Sequence, residues 1–137
     1  MIELKSLEVG TELPVLALPS ISRTALALFA GGSGDHNPIH LDIDVARSAG
    51  MDDVFAQGML SMAYLGRFLT GFVPQERVRS LEARFNAITP IHAAPTCTGR
   101  VVSIDVVDHE RLATLELAVV LDDGTVTLSG TAVVVID

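Results

Sequence analysis

The 137-residue chain is 49% hydrophobic, holds five phenylalanines, one tyrosine and no tryptophan, and carries a net charge of −8 from 17 acidic and 9 basic residues. This length fits one domain with an aliphatic core, spanning residues 1–137, and the composition excludes a disordered polymer. The acidic balance argues against a nucleic-acid partner, which would need clustered Lys and Arg.

The single cysteine, Cys97, allows no intrachain disulfide and points to a reducing compartment. Met1–Lys5 lacks a basic region followed by a long apolar run, and no apolar stretch is long enough to span a bilayer. A soluble, cytoplasmic chain without a membrane partner is expected.

In chain order, Leu13–Leu18 reads as a short strand flanked by Pro14 and Pro19. Ser22 is a fitting N-cap for a helix through about Ala30, with Gly31-Gly32 as its stop. Then comes Ser33-Gly34-Asp35-His36-Asn37-Pro38-Ile39-His40-Leu41-Asp42. Pro38 lacks a backbone N–H and biases Asn37 away from the helical region, so the segment is expected to be a fixed turn. Such a turn can hold the carboxylate of Asp35 and the imidazole of His40 toward one reacting molecule. The plainer readings are an Asp that caps the turn and a structural His. His36 and His40 have the i, i+4 spacing of a helical zinc pair, but Pro38 opposes that helix and no second His/Cys pair lies nearby, so no metal is expected. Asp42 or Asp44 caps a short helix over Val45–Ala49, which ends at Gly50.

Gly58–Thr70 is apolar on nearly every face, with Arg67 its only charge, and Gly71 and Pro74 end it. It is too short to cross a membrane comfortably, so protein must surround it. From Val78 the period becomes two, in rows through Leu81–Ala87, Val102–Val106, Ala113–Leu121 and Val126–Ile136. Asp108-His109-Glu110 and Asp122-Asp123-Gly124 are the turns between strands. The expected fold class is α+β, with about five antiparallel strands wrapped around a buried central helix. The free sheet edge predicts a homodimer. Lys5 is the only lysine, and a loose group of arginines (Arg67, Arg77, Arg79, Arg84) reads as solvated surface or as a contact for a phosphate-bearing carrier.

The proline turn, followed by Phe55-Ala56-Gln57-Gly58-Met59-Leu60, resembles the MaoC-like dehydratases, which include (R)-specific enoyl-CoA hydratases and β-hydroxyacyl carrier-protein dehydratases. Arg84-Phe85, Thr89-Pro90-Ile91 and Gly99-Arg100-Val101 resemble the family's later strands, so the likeness covers nearly the whole chain. It implies the hot-dog fold, and a hydro-lyase that hydrates or dehydrates the α,β-carbons of a CoA or carrier-protein thioester, with no metal or redox cofactor. By the same resemblance Asp35 and His40 are the catalytic pair, and Gly58 is the family's glycine at the start of the central helix. Which of the pair is the base stays open.

The unpaired amide of Gly58 at a helix N-terminus is the expected contact for the thioester oxygen. Asn37 and Gln57 are expected to support the site. Gln57 stands where the family often has His, and Gly66 where some hydratases have Ser. Two other functions fit the same resemblance: a noncatalytic acyl-thioester-binding subunit of a hetero-oligomer, or a hot-dog thioesterase. The acidic net charge leans the substrate toward acyl-CoA over an acidic carrier protein.

Overall fold

The structure, a computed structural model, describes residues 2–137. Three α-helices precede the long strands: α1 (Arg23–Ser33), α2 (Ile43–Ser48) and α3 (Gly58–Thr70). The strands are β1 (Leu16–Ala17), β2 (Val78–Phe85), β3 (Thr96–Val107), β4 (Glu110–Val120) and β5 (Val126–Val135). They form one antiparallel sheet in the order β1-β3-β4-β5-β2. The α+β arrangement matches the expected one, with α3 against β2, β3, β4 and β5.

Two apolar clusters hold the molecule together. The larger packs Leu65, Phe68 and Leu69 of α3 onto Val101, Leu115, Leu117, Leu128 and Val134 of the sheet. The smaller joins α1, α2 and the start of α3 through Ile21, Leu26, Ala46, Val54, Ala56 and Leu60. It seats the α1–α2 segment over the N-terminal end of the central helix.

Several sequence expectations are corrected. Helix α1 continues through Gly31-Gly32 and ends at Gly34, which takes the left-handed conformation at φ 81°. A glycine inside a helix costs only about 1 kcal/mol, so a pair weakens the helix without ending it. The strand expected over Leu13–Leu18 shrinks to Leu16–Ala17, because Pro14 cannot donate to a ladder. Asp42 caps α2, its carboxylate accepting from the N–H groups of Asp44 and Val45, so α2 starts before Val45.

In β3 the inward row is not Val102–Val106 throughout. Val101 is buried and Val102 exposed, and a register shift between Val101 and Ser103 turns Ile104 back to the core. The extra residue of a bulge reverses the phase of the alternation. Finally, α3 is not enclosed on all sides: Met59, Ala63, Arg67 and Thr70 form an exposed stripe along it.

Candidate functional site

The turn that carries Asp35 and His40 is built residue by residue. Ser22 caps α1 by accepting from the Ala25 N–H, and Gly34 closes the helix at its other end. The Asp35 N–H then donates to the Ser33 hydroxyl at 3.1 Å. Oδ1 of Asp35 accepts from the Asn37 N–H at 3.3 Å, and Oδ1 of Asn37 accepts from the Ile39 N–H at 3.1 Å. Pro38 opens a single 3₁₀ turn, Pro38–His40, where its missing N–H costs nothing. Asn37 thus locks the turn, and among the described residues no backbone N–H donates to Oδ2 of Asp35.

His40 is buried, with only 10% of its side chain exposed against 41% for Asp35. Its Nδ1 lies 2.7 Å from the carbonyl oxygen of Phe55, and the Phe55 ring meets the imidazole edge-on at 4.9 Å between centroids. A carbonyl can only accept, so Nδ1 carries the proton. In the neutral ring Nε2 is therefore a bare acceptor. It sits 3.9 Å from Oδ2 of Asp35, too far for a direct hydrogen bond. His36 does not join this pair, since its Nδ1 lies against the Gly34 carbonyl at 3.1 Å.

Phe55 connects the pair to a cavity of about 350 Å³. Phe55, Gly58, Ser61, Phe85, Ile88 and Leu128 line it; Asp35 and His40 are not among its lining residues, and Phe55 touches His40 and lines the cavity. Gly58 is the first residue of α3, and no side chain caps that helix end. The first amides of a helix lack intrahelical acceptors and face an electropositive field, here at the cavity wall. Gly58 is also where the chain is tight, because a Cβ added there would stand 3.2 Å from the Phe85 ring.

Gln57 is fully buried and ties α3 to α1, its Nε2 donating to the Leu26 carbonyl at 3.0 Å. Its Oε1 has no partner among the described residues. Ser61 and Thr89 share a hydrogen bond of 3.3 Å in the cavity wall. The roles of Phe55, Ser61, Phe85 and Ile88 escaped sequence reasoning. For Ser61 a signal existed: it lies three residues after Gly58, on the same helix face. The arginine group does not act together. Arg79 is held by Glu110 at 2.6 Å, and Arg67 lines a separate cavity between α3 and the Pro14–Leu16 segment.

A curled antiparallel sheet around a central helix, with a polar turn laid over the helix N-terminus, is the hot-dog fold. The chain belongs to the MaoC-like domain family, whose model matches residues 8–122. It is 26% identical over 117 residues to an (R)-specific enoyl-CoA hydratase of Rhodospirillum rubrum, covering 85% of this chain and 81% of that protein. Among solved structures, R-hydratase PhaJ1 from Pseudomonas aeruginosa superposes with a TM-score of 0.84 at 25% identity, covering 97% of this chain and 84% of the other. A chain of the ChsH1-ChsH2 complex from Mycobacterium tuberculosis shares the fold, with a TM-score of 0.81 at 21% identity over 95% of this chain and 98% of that one.

Proposed function

We propose that this protein is a hydro-lyase that reversibly adds water across the double bond of a trans-2-enoyl thioester to give the (R)-3-hydroxyacyl thioester, with acyl-CoA as the favoured carrier. One observation carries the reading: His40 is fixed with its Nδ1–H donating to the Phe55 carbonyl and with bare Nε2 facing Oδ2 of Asp35 across 3.9 Å. Two hydrogen bonds of ~2.8 Å across that gap would enclose about 90° at a water oxygen, close to the angle between its two O–H bonds. A water there gives one proton to each acceptor and keeps a lone pair free.

In hydration that lone pair attacks C3 while Asp35 or His40 takes a proton. The electrons of the double bond move onto the thioester oxygen as an enolate, and C2 then takes up a proton. Water is thereby added as hydroxyl at C3 and hydrogen at C2. The enolate oxygen needs a preorganised donor, and the Gly58 amide at the α3 terminus supplies one. Acid–base help of this kind is worth about 10²- to 10⁴-fold in rate. The R hydratase similarity of the Rhodospirillum and Pseudomonas proteins supports both reaction class and stereochemistry.

The test is hydration of crotonyl-CoA and longer enoyl-CoAs by the purified chain, followed as loss of enoyl absorbance. Asp35→Asn and His40→Ala are each expected to lower kcat by about 10²- to 10⁴-fold with an unchanged circular dichroism spectrum. Unaltered turnover in both variants overturns the dyad. Release of free thiol instead of hydration would mark a thioesterase, and no turnover by the chain alone a noncatalytic subunit.

A further inference from the structure

We propose that the cleft between the C-terminal half of α3 and the Pro14–Leu16 segment is a second ligand site, which takes a medium-chain monocarboxylate with its tail in the cleft and its carboxylate on Arg67. The site is separate from the Gly58 cavity and stands whatever reaction that cavity performs.

The cleft holds about 510 Å³, within the roughly 300–1,000 Å³ of small-molecule sites. Pro14, Val15 and Leu16 form one wall, and Phe68 of α3 and Phe72 just beyond it form the other. Arg67 is the only charged residue in the lining. No acid lines it, although the chain has 17 acidic and 9 basic residues. The Gly58 cavity shares none of these residues, and Arg67 stands about 14 Å beyond Gly58 along the α3 axis.

An uncommitted cation sets the chemistry of the ligand. Arg23, Arg79 and Arg100 each pair with a carboxylate, and Arg47 and Arg111 each donate to a backbone carbonyl. Among the described residues, Arg67 does neither. An arginine in the last turn of a helix ordinarily serves the terminal carbonyls. Here those carbonyls have other donors. The Thr70 hydroxyl donates to Gly66, the Gly71 N–H to Arg67 and Phe68, and the Phe72 and Val73 N–H groups to Leu69.

The Arg67 charge also lies on the cleft side of α3. Burial pushes the Tyr64 hydroxyl and the Cys97 thiol up, and Arg67 draws both back. Cys97 of β3 stands opposite Leu16 of β1, in the wall of the cleft.

A guanidinium fork meets a carboxylate with two parallel hydrogen bonds. A phosphate monoester would bring a second negative charge against one cation, in a chain of net charge −8. The walls favour a tail without polar groups, because a polar group there would lose water and gain no partner. Val15 is 62% exposed, so a tail laid against it also removes apolar surface from water.

The experiment is calorimetric titration of the full chain with sodium octanoate, decanoate and dodecanoate. One site per chain is expected, with affinity rising about fourfold per added methylene until the cleft is full. Decanoate should also raise the thermal midpoint, since only the folded chain offers the cleft. Arg67→Gln should weaken decanoate at least tenfold, and Arg67→Lys less. Val15→Glu, at an exposed position, sets a carboxylate in the wall and should weaken it at least as much. Gly58→Val should leave decanoate affinity unchanged, and free CoA should not compete.

No saturable binding, or equal binding by Arg67→Gln or Val15→Glu, would overturn the proposal. Displacement by CoA, or loss in Gly58→Val, would assign the ligand to the thioester cavity and overturn it too. A cleft covered by a second copy would show as self-association without decanoate uptake, with the same consequence. A chain that binds decanoate through Arg67 but leaves crotonyl-CoA unchanged upholds this site and overturns only the hydratase reading.

Discussion

Gly58 and Phe85 are fitted to each other, and the fit gives a sharp expectation for one atom. A Cβ at Gly58 would meet the Phe85 ring at 3.2 Å, so the ring must yield for even an alanine. Gly58→Val is expected to cost about 10²-fold in kcat/KM on crotonyl-CoA, because a shift of about 1 Å near reacting atoms has that effect. Phe85→Ala in the same chain should recover part of it, which steady-state kinetics of the single and double variants will show. Cys97 is a second defined case. Burial pushes its thiol from 9.0 up to about 11, so the folded state holds a proton that the unfolded chain gives up first. Its stabilising effect is complete below pH 9 and is lost as pH rises toward 11. The native thiol should resist iodoacetamide at pH 8 and react once urea unfolds the chain, and urea midpoints should fall across that alkaline window. At this scale the sequence was informative about residues whose chemistry is in the side chain. Asp35, His40 and Asn37 could be singled out from one turn. Phe55 could not be given its part, because it acts on His40 through a backbone carbonyl that every residue type shares.

Glycines separate the elements into those with spare room and those without. Gly32 lies inside α1, where an alanine Cβ would find nothing within 4 Å, and Gly130 lies in β5, where an alanine Cβ would stand 2.7 Å from the Glu82 carbonyl. Gly32→Ala should stabilise the protein by about 0.5–1 kcal/mol, since alanine loses less backbone entropy in a helix. Gly130→Ala should destabilise it by about 1–3 kcal/mol through forced strand separation. Urea denaturation of both variants checks the two signs. The same contrast explains which elements the sequence disclosed. The helix Gly58–Thr70 was read to its bounds because glycine, apolar run and glycine mark it without ambiguity. The end of α1 was misplaced because Gly31-Gly32 looks the same in sequence whether it breaks a helix or is tolerated within one. The phase of β3 was lost because a bulge is one extra residue with no composition of its own.

For the whole molecule, periodicity revealed the layers, and it could not reveal what stands beside them. Hydropathy marks α3 as a helix to be covered, yet Met59, Ala63 and Thr70 are exposed in the single chain. Covering can come from the same chain or from another, and a one-chain pattern does not distinguish the two. The edge of β2 is the corresponding case for the sheet.

Phe55 meets the imidazole through both its carbonyl and its ring, and it also lines the cavity. On the function proposed above, a lineage that trimmed this ring to admit bulkier acyl groups would loosen the support beneath His40 at the same stroke. Changes of substrate range should therefore run through Phe85, Ile88 and Leu128, which line the cavity, and leave position 55 the slowest to drift.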